Sequence, residues 1–183
     1  MRHLPNIICL LRIALTWPTV QALAAGQYGL TLALFAIAAI SDGLDGFLAK
    51  RFNWTSQLGR FLDPLADKLL LVSMFVAASW LALLPWWLAA AAIARDVMIG
   101  AGALIYRLWF GPLNGRPTIV SKVNTALQIS VLILAIGHAG WQMPPRELLD
   151  FLALAMLATT LLSGADYLRL FVQRAWWLPD GSR

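Results

Sequence analysis

Long apolar stretches, broken by short clusters of turn-forming residues, run the length of the chain. At about 20 residues per membrane crossing, the pattern predicts six helices, over roughly 8–24, 29–50, 60–83, 86–108, 120–140 and 147–172. Gly26-Gln27, the Asn53 to Gln57 turn, Pro85, the Gly111 to Gly115 stretch and Gln142 to Pro145 separate them. Each is a turn or loop signal. A transmembrane β-barrel needs short segments of alternating polarity, and Ala/Leu-rich blocks do not alternate. The expected architecture is therefore all-α and polytopic, one membrane domain over 1–183.

Composition removes the soluble alternatives. Of 183 residues, 60% are hydrophobic and 13% charged, against about 45–50% and about 25% in soluble domains. High apolar content excludes intrinsic disorder, and a single cysteine, Cys9, excludes a disulfide scaffold. The 13 glycines and 9 prolines follow no period, which excludes collagen-like and repeat architectures. On the six-helix reading, 13 of the 14 Lys and Arg residues lie on one side and Arg146 alone on the other. The positive-inside rule then places both termini in the cytoplasm. The net charge of +5 reads as topology and headgroup attraction; without basic runs interleaved with aromatics, no nucleic-acid partner is expected. Arg2 and Ala22-Leu23-Ala24 have the look of a secretory leader, but Arg12 and Pro18 interrupt its apolar region, so the segment is read as mature structure. Trp80, Trp86, Trp87, Trp176 and Trp177 read as interfacial anchors.

The acids stand out against this background. Four of only nine, Asp42, Asp45, Asp63 and Asp67, fall at the cytoplasmic ends of the second and third helices. One Asp at a helix centre costs about 2.5–3.5 kcal/mol on insertion scales, less near an end, and four together repel. Asp42 and Asp45 are three apart, Asp63 and Asp67 four apart, so each pair shares a helix face. A short connection makes the two helices antiparallel neighbours whose pairs can converge. Convergent carboxylates without His or Cys make a hard oxygen site suited to Mg, Mn or Ca. Gly43, Gly46 and Gly59 interleave with them, each at a cost of about 1 kcal/mol in a helix interior. Close approach of a ligand or a neighbouring helix explains that cost.

The segment Asp42-x2-Asp45-Gly46-x2-Ala49-Lys50-x8-Gly59-x3-Asp63-x3-Asp67 resembles the signature of the CDP-alcohol phosphatidyltransferases. Seven of eight fixed positions match, with Lys50 standing where that family has arginine. The resemblance implies six transmembrane helices after a short N-terminal amphipathic stretch that helps hold the nucleotide, here Pro5-Asn6-x5-Arg12, with Cys9 where a hydroxyl is common. It also implies two divalent ions, Mg or Mn, held by Asp42, Asp45, Asp63 and Asp67, with Asp67 as general base. Asn6, Asp45, Gly46, Ala49, Lys50 and Gly59 would hold the CDP-lipid, Lys50 at its phosphate. By the same analogy the protein is a homodimer, with its active site at the cytoplasmic face of the bacterial inner membrane or the equivalent matrix side.

The second half of the chain bears on the acceptor. Arg95 lies inside a span and needs a partner: Asp96, a helix-to-helix ion pair, or bound phosphate. Arg116 and Lys122 lie at the cytoplasmic interface, where topology alone also explains them. Together the three point to an anionic acceptor. Arg95-Asp96-Val97-Met98 and Pro117-Thr118-x2-Ser121-Lys122-Val123-Asn124-Thr125 resemble the CDP-diacylglycerol-dependent cardiolipin synthases of this family. That resemblance implies CDP-diacylglycerol and phosphatidylglycerol as substrates, and CMP as product. A phosphatidylglycerophosphate synthase using glycerol 3-phosphate is the alternative within the family. The phospholipase D type of cardiolipin synthase is excluded, because neither His3 nor His138 begins an H-x-K-x4-D motif. Rival classes are a divalent metal or proton transporter, disfavoured because the acids occupy one half only, and a non-catalytic scaffold. His138 reads as a loop or interface residue.

Overall fold

Among the described residues, six helices follow in succession, α1 Leu4–Ala24, α2 Tyr28–Phe52, α3 Gly59–Trp80, α4 Trp86–Phe110, α5 Ile119–Trp141 and α6 Arg146–Trp176. This computed structural model describes the backbone of residues 4–52, 59–110 and 118–176, and the side chains of 8–41, 66–105, 108 and 118–169. No strand occurs among the described residues. The apolar blocks thus become helices close to the expected bounds, with three informative differences. α1 begins at Leu4, so the expected amphipathic opening forms the first turns of that helix, from Leu4 on. α3 ends at Trp80, three residues early, and α6 continues to Trp176.

Local chemistry sets these ends. After α1, Gly26 adopts φ +71°, Gln27 N–H donates to the Ala22 carbonyl at 2.9 Å, and Gly26 N–H donates to that of Leu23 at 3.0 Å. This is a Schellman cap, whose left-handed residue is ordinarily glycine. α3 closes with the same pair of bonds, Leu83 to Ala78 at 2.8 Å and Ala82 to Ser79 at 3.1 Å. There the left-handed position is Ala82, at φ 56°. At the end of α5, Gln142 (φ 57°) donates to the His138 carbonyl at 2.9 Å. His138 Nδ1–H donates to the Pro144 carbonyl at 2.7 Å and secures the α5–α6 turn, the loop role read from sequence. α5 starts where it does because Thr118 caps it, its hydroxyl accepting from Ser121 N–H at 3.2 Å.

Among the described residues, three helical segments are long and apolar enough to cross a membrane: Trp86–Ile105, Ile119–Trp141 and Arg146–Arg169. Shorter apolar stretches, Ile8–Ala24 and Tyr28–Ser41, lie within α1 and α2. Hydroxyls within the helices turn back onto their own backbone. Thr16, Thr19, Thr31, Thr125 and Ser130 each donate to the carbonyl four residues earlier. Their polar groups are therefore satisfied without water, as an apolar surrounding requires.

The chain forms two compact units, Met1–Trp86 with Leu132–Arg146, and Trp87–Val131 with Glu147–Arg183. In the first, α1 packs against both α2 and α3, and Phe35, Met74, Phe75, Leu132 and Ile136 are buried. Gly140 lets α5 meet α2 closely; a Cβ there would lie 3.0 Å from that of Tyr28. In the second, Leu88, Val131 and Met156 are buried. Gly164 makes room in α6 for Met98 of α4, whose methyl would sit 3.2 Å from an added Cβ.

Candidate active site

Asp42 and Asp45 fall in the C-terminal half of α2, three apart in unbroken helix. Asp63 and Asp67 lie in the first turns of α3, four apart, after Gly59 opens that helix. These register positions share a face on each helix, as the sequence spacing requires. The side chains of Asp42, Asp45 and Asp63 lie outside the described residues, as do those of Asn6, Ala49 and Lys50. Gly46 and Gly59 lie outside the side-chain description too, although both belong to helices. Arg116 lies outside the described residues altogether. Among the described residues, no three acids, imidazoles or thiols gather at one point.

Asp67 lies among the described side chains. Its Oδ1 accepts a hydrogen bond from Nη1 of Arg12 at 2.5 Å, which joins α1 to α3 in an ion pair. The two ends differ sharply in exposure: the Arg12 side chain is 1% exposed and that of Asp67 is 41%. One turn further along α1, Thr16 donates to the Arg12 carbonyl at 3.1 Å. Beyond the pair, an apolar groove of about 530 Å³ runs between α1 and α3. Ile13, Trp17 and Val20 line one side, and Leu69, Val76 and Trp80 the other.

The second polar centre surrounds Arg95 of α4. Its Nη1 donates to Asp96 Oδ1 at 2.8 Å, and its Nη2 donates to Ser121 Oγ of α5 and Ser163 Oγ of α6, both at 2.6 Å. Nε also reaches Ser163, at 3.2 Å. Tyr167 presents its ring 6.0 Å from the guanidinium carbon. Of the partners left open for Arg95 by the sequence, Asp96 is thus present, and the pair is enclosed, with side chains 5% and 10% exposed. Lys122, next to Ser121, is exposed.

One α5 face continues this polar line. Ser121, Asn124 and Gln128 are buried at helical spacing. Asn124 Oδ1 accepts from Thr159 at 3.0 Å and Thr160 at 2.8 Å, both on α6. Asn124 Nδ2 and Gln128 Nε2 are buried without a hydrogen-bond partner among the described residues. Sequence reasoning did not single out Ser163, Tyr167, Thr159, Thr160 or Gln128. The spacing of Ser121, Asn124 and Gln128, three then four, is the signal that could have found the α5 face.

An all-helical chain with apolar helices long enough for a membrane, acids at two helix ends and enclosed arginines defines a membrane protein built around charge. Residues 2–168 match the model of the CDP-alcohol phosphatidyltransferase family, and the chain belongs to that family. It is similar to a probable cardiolipin synthase (CMP-forming) of Drosophila melanogaster, with 33% identity over 154 residues, 75% of this chain and 48% of that protein. The cardiolipin synthase (CMP-forming) of Homo sapiens is 33% identical over 152 residues, 73% of this chain and 50% of that protein. A CDP-diacylglycerol–glycerol-3-phosphate 3-phosphatidyltransferase of Salmonella choleraesuis is 35% identical over 139 residues, 70% of this chain and 67% of that protein. The chain spans about half the length of the two animal cardiolipin synthases.

Proposed function

We propose that this protein is a cardiolipin synthase that transfers a phosphatidyl group from CDP-diacylglycerol to phosphatidylglycerol and releases CMP. The observation that carries the reading is the complete spacing of the four-aspartate signature within a family match that runs through both compact units. That match supports treating 1–183 as one phosphatidyltransferase domain. Similarity to the animal cardiolipin synthases favours phosphatidylglycerol as acceptor. The Salmonella relative supports the second reading, with glycerol 3-phosphate in that place.

The donor set fits a hard divalent cation: four carboxylates in the C-terminal half of one helix and the first turns of the next, with no sulfur or imidazole among them. Asp42, Asp45, Asp63 and Asp67 would hold two Mg or Mn ions. Bound there, the metal would neutralise the diphosphate and the charge that develops on it. Asp67 takes the proton from the attacking hydroxyl, whose oxygen bonds to the phosphatidyl phosphorus as the bond to the CMP oxygen breaks. Asn6, Gly46, Ala49, Lys50 and Gly59 hold the CDP-lipid. The acceptor's phosphate meets Arg116 and Lys122, and Arg95 fixes Ser121 beside Lys122. One acyl chain occupies the α1–α3 groove. From Ile13 to Ala24 the groove follows α1 for about 16 Å at 1.5 Å per residue, near the ~15 Å of one hydrocarbon leaflet. Six spans, cytoplasmic termini, a cytoplasmic-face site and a homodimer complete the proposal.

Purified protein given CDP-diacylglycerol, Mg or Mn and a panel of acceptors tests it, with lipid products identified by mass. Cardiolipin and CMP should form with phosphatidylglycerol, stop on chelation and return with metal. Turnover with glycerol 3-phosphate but not phosphatidylglycerol would establish the second reading. Metal uptake into vesicles without any CDP-lipid would instead support a transporter.

A further inference from the structure

The Arg95–Asp96 and Arg12–Asp67 ion pairs are built differently, and the difference concerns Asp67. Arg95 and Asp96, neighbours on α4, are both enclosed, and Arg95 also bonds Ser121 of α5 and Ser163 of α6, as a centre that ties helices together does. In the Arg12–Asp67 pair the guanidinium is sealed inside the protein, while its carboxylate is 41% exposed. An enclosed cation is costly to keep among apolar helices, and apolar replacement of such pairs is often neutral or stabilising. Stability alone is therefore a poor reason for Arg12. A rigid donor held from within, gripping one oxygen of a carboxylate that still reaches outward, does something else: it sets where that carboxylate stands. Arg12 is itself well anchored, since α1 packs against α3 and Thr16 fastens the backbone at Arg12 one turn on.

We propose that Arg12 is a positioning residue for the reaction: through Nη1 it holds the Asp67 carboxylate in the one orientation from which it accepts the acceptor's proton. This rests on the reading of Asp67 as the base. Arg12 takes no part in proton transfer and needs no contact with substrate. It acts across α1 and α3, so it belongs to the reacting machinery although it lies outside the aspartate signature.

The test is a kinetic series in the intact protein with Arg12→Met, Arg12→Gln, Arg12→Lys and Asp67→Asn. Misplacing a reacting group by about 1 Å costs on the order of 100-fold in rate, so Arg12→Met should lower kcat by about that factor. KM for CDP-diacylglycerol and for phosphatidylglycerol should stay within about 3-fold, the mark of a transition-state effect. Arg12→Lys, which keeps a charged donor, should recover about 10-fold of the loss. Thermal melting in detergent identifies which variants fold. If Arg12→Met does not, Arg12→Lys decides, with lowered kcat and unchanged KM expected. A folded Arg12→Met or Arg12→Gln with wild-type kcat overturns the proposal, as does a raised KM for CDP-diacylglycerol at unchanged kcat, which would make Arg12 a substrate contact. Full CMP release by Asp67→Asn would instead overturn the reading of Asp67. An inactive Asp67→Asn beside a fully active Arg12→Met would defeat the positioning role alone.

Discussion

Asn124 and Thr160 are joined across α5 and α6 by a 2.8 Å hydrogen bond in which the threonine hydroxyl donates to the amide oxygen. Thr159 donates to the same oxygen, so the amide has a defined orientation, oxygen toward α6. Asn124→Ala removes the acceptor for Thr160, leaves Thr159 only the Met156 carbonyl, and opens a buried gap. It should cost about 1–3 kcal/mol, whereas Thr160→Val should cost less because Thr159 still serves Asn124. Melting curves of the two variants in one detergent check the order.

Arg95 links three helices, and its removal should be felt as lost stability. Arg95→Met takes the cation from an enclosed carboxylate, with an expected loss of about 3–5 kcal/mol. Adding Asp96→Asn should recover part of that loss, because the enclosed charge goes with it. A chemical denaturation series on the single and double variants measures the coupling.

Ala82 occupies a left-handed position that favours glycine. Ala82→Gly relieves a conformation that costs an alanine about 1–2 kcal/mol, offset by the greater freedom of glycine in the unfolded chain. A net gain of about 0.5–1 kcal/mol is expected. Gly26→Ala should have the opposite sign. Paired melting temperatures settle both.

The α1–α3 groove gives a prediction for the lipid tail. Ala77 lines it three residues before the end of α3, and Ala77→Phe should shorten the space without touching the Arg12–Asp67 pair. KM for long-chain CDP-diacylglycerol should rise about 10-fold, with a smaller rise for short-chain analogues. Equal effects at both lengths would remove the acyl chain from the groove.

Lys122 and Arg116 are assigned to the acceptor, so their loss should appear in its binding. Lys122→Gln and Arg116→Gln should each raise KM for phosphatidylglycerol by about 3–10-fold while KM for CDP-diacylglycerol holds. The effect of Lys122, an exposed charge, should shrink as salt is raised.

Helices were readable because the chain punctuates them: Gly26 and Pro85 mark boundaries by chemistry that acts within a few residues. The early end of α3 was not, since a left-handed alanine breaks the usual preference. The aspartates were legible as a motif, and the backbone places them at the expected helix ends. The cross-chain partners were illegible for a different reason. Arg12 meets Asp67 across 55 positions, and Arg95 meets Ser163 across 68. Serines and threonines in apolar helices ordinarily bond their own backbone, as Thr16 and Thr31 do. Nothing local distinguishes Ser163 or Thr160, which reach across to α4 or α5.

The ribosome makes Arg12 well before Asp67. On the six-span reading, α1 therefore enters the bilayer carrying a cation whose counter-ion has yet to be synthesised, a burden of about 2.5–3.5 kcal/mol for a mid-helix arginine. On that reading, α1 should settle in lipid only once α3 has emerged, and pairing of Arg12 with Asp67 would commit the first helix to the protein.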